Sequence, residues 1–157
     1  MSGYLMRTGH SSGFTLLELI LVLVITGILA VAVGPRMMDS RILSARGFSD
    51  QVQASLRYAQ KTAIAQHRIV CVDYAIDRIV LTQTQSTPPA CPGDALASPD
   101  GAPDYAIAAP SGVLFAVVPT PFYFDALGRP SPNTRHTILV SGVADGITVE
   151  AETGYVH

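Results

Sequence analysis

A carboxylate stands where a side chain of its kind is expensive. Glu18 falls at the start of an apolar run, Leu19-Ile20-Leu21-Val22-Leu23-Val24-Ile25-Thr26-Gly27-Ile28-Leu29-Ala30-Val31-Ala32-Val33. Counted from Phe14, that run is about long enough to cross a bilayer as a helix. An acid left in the membrane centre costs roughly 2.5–3.5 kcal/mol on insertion scales, so Glu18 calls for a partner. Two thiols, Cys71 and Cys91, are the other residues able to do chemistry as a pair. The remaining candidates do not converge. His10, His67, His136 and His157 are scattered without metal-ligand spacing, and His67 is the one histidine near either cysteine in sequence, whereas a structural zinc site wants four ligands. Asp125, His136 and Ser141 supply a nucleophile trio of the kind any chain this long contains by chance. No nucleophile elbow or phosphate-cradling glycine loop is present. The sequence therefore predicts neither an enzyme nor a metal or cofactor protein.

The residues before the run are Gly13-Phe14-Thr15-Leu16-Leu17-Glu18. This string resembles the processing site of type IV pilins and type II secretion pseudopilins. The resemblance implies cleavage by prepilin peptidase between Gly13 and Phe14, on the cytoplasmic side, followed by N-methylation of Phe14. Glu18 and the helix proline Pro35 fall where the family has its acid and its proline. The family rule would pair Glu18 with the new amine of Phe14 on a neighbouring subunit, fixing axial register in a filament. An ordinary secretory signal would put its cut after the apolar run, where Ala30, Ala32 and Gly34 mimic such a site. A plain anchor with a chance glutamate is the other reading. One signal opposes the family topology: Arg7 precedes the span, whereas Arg36, Arg41 and Arg46 follow it, which would favour a cytoplasmic C-terminal part.

Three parts position these groups. Residues 1–13 are a polar leader. Residues 14–66 read as one long helix, transmembrane over about 14–34 and amphipathic over 35–66. Ala45, Phe48, Val52, Leu56, Ala59 and Ala63 recur at spacings of three and four, giving one apolar stripe for packing on a sheet. Arg46 and Asp50 are spaced to pair weakly. Gly34-Pro35 should kink or loosen the helix, and the family resemblance adds that residues 27–35 melt during filament assembly. Residues 67–157 read as a β-rich periplasmic head. Strands are expected at Arg68–Tyr74 and Arg78–Thr84 around a hairpin turn at Ala75-Ile76-Asp77, then at Gly112–Val118, Phe122–Phe124, Thr137–Ser141 and Ile147–Ala151, with a last turn at Glu152-Thr153-Gly154 before Tyr155-Val156. A long helix followed by an antiparallel sheet is an α+β, pilin-like architecture. The stretch Ser86–Pro110 has loop composition and is not expected to pack a core. In an exported head Cys71 and Cys91 would form a disulfide; in a cytosolic chain they would be free thiols.

Phe122-Tyr123-Phe124-Asp125-Ala126-Leu127-Gly128-Arg129-Pro130, followed by an apolar strand and a closing Thr-Gly hairpin, is similar to the minor-pilin branch with pseudopilin H and the FimT type, and to pilins of the mannose-sensitive haemagglutinin (MSHA) pilus. Three specialisations follow from the resemblance: a minor pilin of an MSHA-like or other type IV pilus for adhesion or motility, a minor pseudopilin of type II secretion, and a DNA-catching minor pilin of natural transformation. The implied partners are prepilin peptidase, other pilins or pseudopilins, an inner-membrane assembly platform and the membrane itself through residues 14–34. DNA is not an expected partner. The chain carries a net charge of −2 and lacks a basic stripe. Where DNA-binding relatives of the FimT type end in Gly-Arg-x-Arg, this chain has Gly154-Tyr155-Val156-His157, with Glu150 and Glu152 nearby.

Overall fold

The computed structural model describes residues 15–157, with the side chains of residues 31–39 outside that description. Gly13 and Phe14 therefore lie outside the described residues, as does the side chain of Pro35. One helix, α1 (Leu16–Gln66), belongs to two compact units, Met1–Met38 and Asp39–His157.

In the first unit α1 starts on a side-chain cap. Thr15 Oγ1 accepts from the Glu18 N–H at 3.3 Å, and Thr15 O accepts from the Leu19 N–H at 3.2 Å. A threonine here occupies one of the amide donors that a helix start leaves without an intrahelical partner, and Glu18 puts negative charge in the first turn, where the helix dipole favours it. The helical assignment continues through Gly34 and Pro35, the expected weak point.

The second unit is built on the stripe. Ala45, Phe48, Val52, Leu56, Ala59 and Ala63 are all buried. They pack with Val70, Val72, Ile79, Leu81, Phe122 and Phe124 in one core. The helix ends at Gln66 because His67 turns left-handed, with φ of 49°, and the Arg68 N–H then donates to Ala63 O at 3.1 Å. That closure satisfies a terminal carbonyl in the manner usually given to glycine.

The sheet follows. Strands β1 (Ile69–Ala75) and β2 (Arg78–Thr84) form an antiparallel hairpin with Val72 opposite Leu81. Strand β3 (Asp94–Ala95) and strand β4 (Tyr105–Ala108) share the free edge of β2. Strand β5 (Phe122–Phe124) pairs with the other edge of β1, and β6 (Pro130–Ser131) pairs with β5. A separate antiparallel pair, β7 (His136–Ile138) and β8 (Ile147–Val149), completes the head, with Val156 bridging to Val149. The architecture is α+β.

Three expectations need correction. The stretch Ser86–Pro110 is not an unpacked loop: it contributes β3 and β4, and Leu96 and Tyr105 are buried in the core. Its small residues hid two anchors, because composition averages away a single leucine or tyrosine. Gly112–Val118 is not a strand. It makes one bridge, Phe115 to Val140, because its alternating residues have no neighbouring strand long enough to continue the ladder. Arg46 and Asp50 form no ion pair among the described residues; both are exposed, where such pairs contribute little.

Candidate functional site

The described part of the N-terminal segment is an uncovered apolar surface. Leu16 and Leu17 are nearly four-fifths exposed, and Leu19 through Ile25, Ile28 and Leu29 are roughly half exposed or more. A contiguous surface of this kind marks contact with lipid or other protein. Its polar interruptions are handled within the helix: Thr26 Oγ1 donates to Val22 O at 2.7 Å. Glu18 is exposed in the same stretch. Among the described residues no helix is long and apolar enough to cross a membrane, and the described side chains break off at residue 30, inside the run.

The head is closed by a covalent bridge. Cys71 on β1 and Cys91 are joined in a disulfide with Cα atoms 5.9 Å apart. Cys71 is fully buried and Cys91 exposed, so the bridge ties a surface segment to the sheet. The same segment is held at three more points. Thr82 Oγ1 accepts from the Gly93 N–H at 3.0 Å, and the buried Tyr105 hydroxyl hydrogen-bonds Ser55 Oγ at 2.9 Å while its ring stacks on Tyr58. Tyr58 in turn donates to Ala97 O.

At the opposite flank, α1 fastens two turns. Asp125 Oδ1 accepts from the Leu127 and Arg129 amides, both at 2.9 Å, and its second oxygen pairs with Arg129 Nε at 3.2 Å. Gln60 Nε2 donates to Gly128 O and to Thr153 O, and Arg57 Nε donates to Val156 O at 3.2 Å. Gly154, at φ of 65°, lies so close to the Gly128 carbonyl that a Cβ would not fit. The sequence marked this turn and this hairpin but not the residues that join them, Arg57 and Gln60. They look like ordinary solvated positions on a helix. The signal that singles them out is their spacing, three apart on one side of the buried stripe.

Two of the arginines near the last strands are already neutralised. Arg129 pairs with Asp125, and Arg135 with Glu150 at 3.1 Å. Glu150 also meets His157 Nε2 at 3.1 Å, and its hydrogen bonds to His157 and then Arg135 hold its carboxyl below the usual range. His157 stacks on Tyr155. The Asp125, His136 and Ser141 trio is not assembled: Asp125 is committed to Arg129, and His136 stacks on Phe122 with Nε2 3.5 Å from Pro132 O. Among the described residues no three His, Cys, Asp or Glu side chains are placed to hold a metal ion. A shallow cleft of about 450 Å³ lies between α1 and the turn before β8. Its walls are Arg46, Ser49, Asp50, Gln53, Asp145 and His157, of both charge signs.

These features define a class: an apolar helix with an acid near its start, carrying a disulfide-closed α+β head. Residues 9–34 match the prokaryotic N-terminal methylation motif. The structure is similar to the crystal structures of the type IV minor pilin FimU of Pseudomonas aeruginosa in two crystal forms. One is 14% identical, with a TM-score of 0.50, covering 71% of this chain and 90% of that one. The other is 15% identical, with a TM-score of 0.51, covering 78% and 91%. No curated protein matches in sequence. The motif match covers the N-terminal segment, and the likeness to the minor pilin is one of fold.

Proposed function

We propose that this chain is a minor pilin that prepilin peptidase cuts between Gly13 and Phe14, and that then assembles with other pilins into an MSHA-like type IV pilus serving adhesion or motility. Before assembly it is held in the inner membrane by residues 14–34, with the head in the periplasm, where an assembly platform draws it into the filament. The observation that carries this reading is the exposed apolar start of α1 with Glu18 in its first turn. Such a surface needs either lipid or the helices of other subunits around it. The disulfide supports an oxidising compartment for the head. The pairing of Arg129 and Arg135 with carboxylates disfavours DNA capture, since phosphate contacts dominate non-specific affinity.

The N-terminus tests the processing step. Mass spectrometry of the protein from membranes of cells with active peptidase should find N-methylated Phe14 as the first residue, and Gly13→Ala or a bulkier change should slow the cut. An intact leader in those cells would overturn the reading.

A further inference from the structure

A β-sheet ends in strands whose outer backbone groups pair with nothing, and a folded chain closes or blunts such edges. Among the described residues this head does so at all but one. β6 is two residues long, and Pro130 there has no N–H to offer. β3 is equally short and begins on the charged Asp94. Beside β8, Val156 bridges to Val149, and Arg57 Nε donates to Val156 O at 3.2 Å. Beyond β7, Phe115 bridges to Val140, and its N–H donates to Ile76 O at 3.0 Å. β4 has none of these closures and pairs with β2 alone. The Ala109 N–H donates to Asp77 O at 2.7 Å, which fixes the alternation along the strand. Residues 105, 107 and 109 turn their backbone groups to β2, and Ala106 and Ala108 turn theirs outward. Both alanines are exposed, Ile107 between them is partly buried against the core, and no charged residue lies within Tyr105–Ala109.

The ends of this edge decide what fits it. Asp104 and Pro110 stand at equal distance on either side of Ile107. A proline cannot continue a ladder, and a carboxylate resists burial in one. A copy of the same strand, turned about a two-fold axis through Ile107, matches it stop for stop. Asp104 then faces Pro110 of the other copy, and Ala106 faces Ala108. Centring the axis on Ala108 would call on the N–H that Pro110 lacks, and centring it on Ala106 would draw Asp104 into the ladder. A parallel neighbour of the same sequence would set Asp104 beside Asp104. A longer foreign strand would overrun one stop or the other. We propose that β4 is the pairing edge for a second copy of this chain, antiparallel and centred on Ile107. Ala106 and Ala108 exchange reciprocal main-chain hydrogen bonds with Ala108 and Ala106 of the other copy. The Ile107 residues of the two copies meet at the non-hydrogen-bonded position, where Cα atoms stand about 4.5 Å apart and side chains touch. Alanine on either side leaves the approach clear of bulk. A two-fold pair is closed, so the contact uses up the open edge and stops at two copies. The pairing involves the head alone and does not depend on how the chain is anchored.

The test uses the full chain in detergent, with the Cys71–Cys91 bridge intact. One further cysteine is introduced as Ala106→Cys, Ile107→Cys, Ala108→Cys or Thr134→Cys. Covalent dimers formed under mild oxidation are followed on non-reducing gels, and the joined peptides are identified by mass spectrometry. Ile107→Cys should cross-link to itself several-fold faster than the other three variants. A mixture of Ala106→Cys and Ala108→Cys should join position 106 to 108 in preference to 106 to 106 or 108 to 108. Adding Ala108→Pro to Ile107→Cys removes an outward N–H without touching the ladder to β2. It should bring the rate down to that of Thr134→Cys, with thermal unfolding showing that the head is still folded. Equal rates at 106, 107, 108 and 134 would reduce the contact to collision in the micelle and overturn the proposal. A maximum at 106 or 108, or an Ile107→Cys rate untouched by Ala108→Pro, would overturn it as well. Repeated on cell membranes, a cross-link from position 107 to a different protein would overturn the second copy as the occupant.

Discussion

Cys91→Ser is the most informative single change to the head. Cys91 is the exposed partner of the bridge, and the Cys71 left behind remains a small buried apolar group, so neither a cavity nor an unpaired polar group is created. The loss then reports the cross-link itself. With a sequence separation of 20 residues, the loop-closure relation gives about 3 kcal/mol at 25 °C. For a domain of this size each kcal/mol corresponds to roughly 4 °C, so the midpoint should fall by about 12 °C. The measurement is thermal unfolding of residues 39–157 by circular dichroism, variant and wild type compared with and without reductant. Reductant should bring the wild type down to the variant and leave the variant unmoved. A fall under about 1 kcal/mol, or a variant that still responds to reductant, would refute the loop-closure reasoning.

Four further changes probe the head. His67→Gly should stabilise it by about 1 kcal/mol in urea unfolding, because glycine accepts the left-handed cap without the cost a β-carbon brings. Asp73 has one carboxylate oxygen buried without a partner, and burial raises its pKa. A raised folded pKa gives stability that is present below the unfolded value, near 3.9, and is lost as pH rises through the folded one; Asp73→Asn should therefore stabilise at pH 7, with the gain vanishing toward pH 3 in a urea series. Gly154→Ala should cost at least 1–2 kcal/mol for the left-handed backbone alone, plus the displacement of the Gly128 carbonyl. Gln60→Ala, which removes the hydrogen bonds to Gly128 O and Thr153 O but adds no atoms, should cost less than Gly154→Ala.

What was legible in the sequence is what repeats. The stripe from Ala45 to Ala63 announced the buried face of α1, and the Arg68–Thr84 pattern announced the first hairpin, because each places apolar groups at a period that backbone geometry fixes. The segment 86–110 is hard to read for the opposite reason. Leu96 and Tyr105 are single anchors among small residues, and Tyr105 meets the distant partners Ser55 and Tyr58, which no local window contains. Gly112–Val118 alternated like a strand but met too little neighbouring backbone to form one. At the N-terminus the motif was plain in the residues, yet Gly13, Phe14 and the side chain of Pro35 lie outside the described residues, so their roles rest on sequence. Arg57 and Gln60 were invisible because their partners are backbone carbonyls about 70 to 100 residues away.

Recovery in filaments tests the central claim most directly. Cells producing the wild-type chain or Glu18→Ala are sheared, and the chain is quantified in the filament fraction against the membrane fraction, with the processed N-terminus verified in both. The account predicts that both chains begin at Phe14, that the wild type appears in the filaments, and that Glu18→Ala stays behind in the membrane. Equal recovery of the two chains in filaments would contradict the role given to Glu18, and absence of the wild type from filaments would contradict the assignment as a pilus subunit.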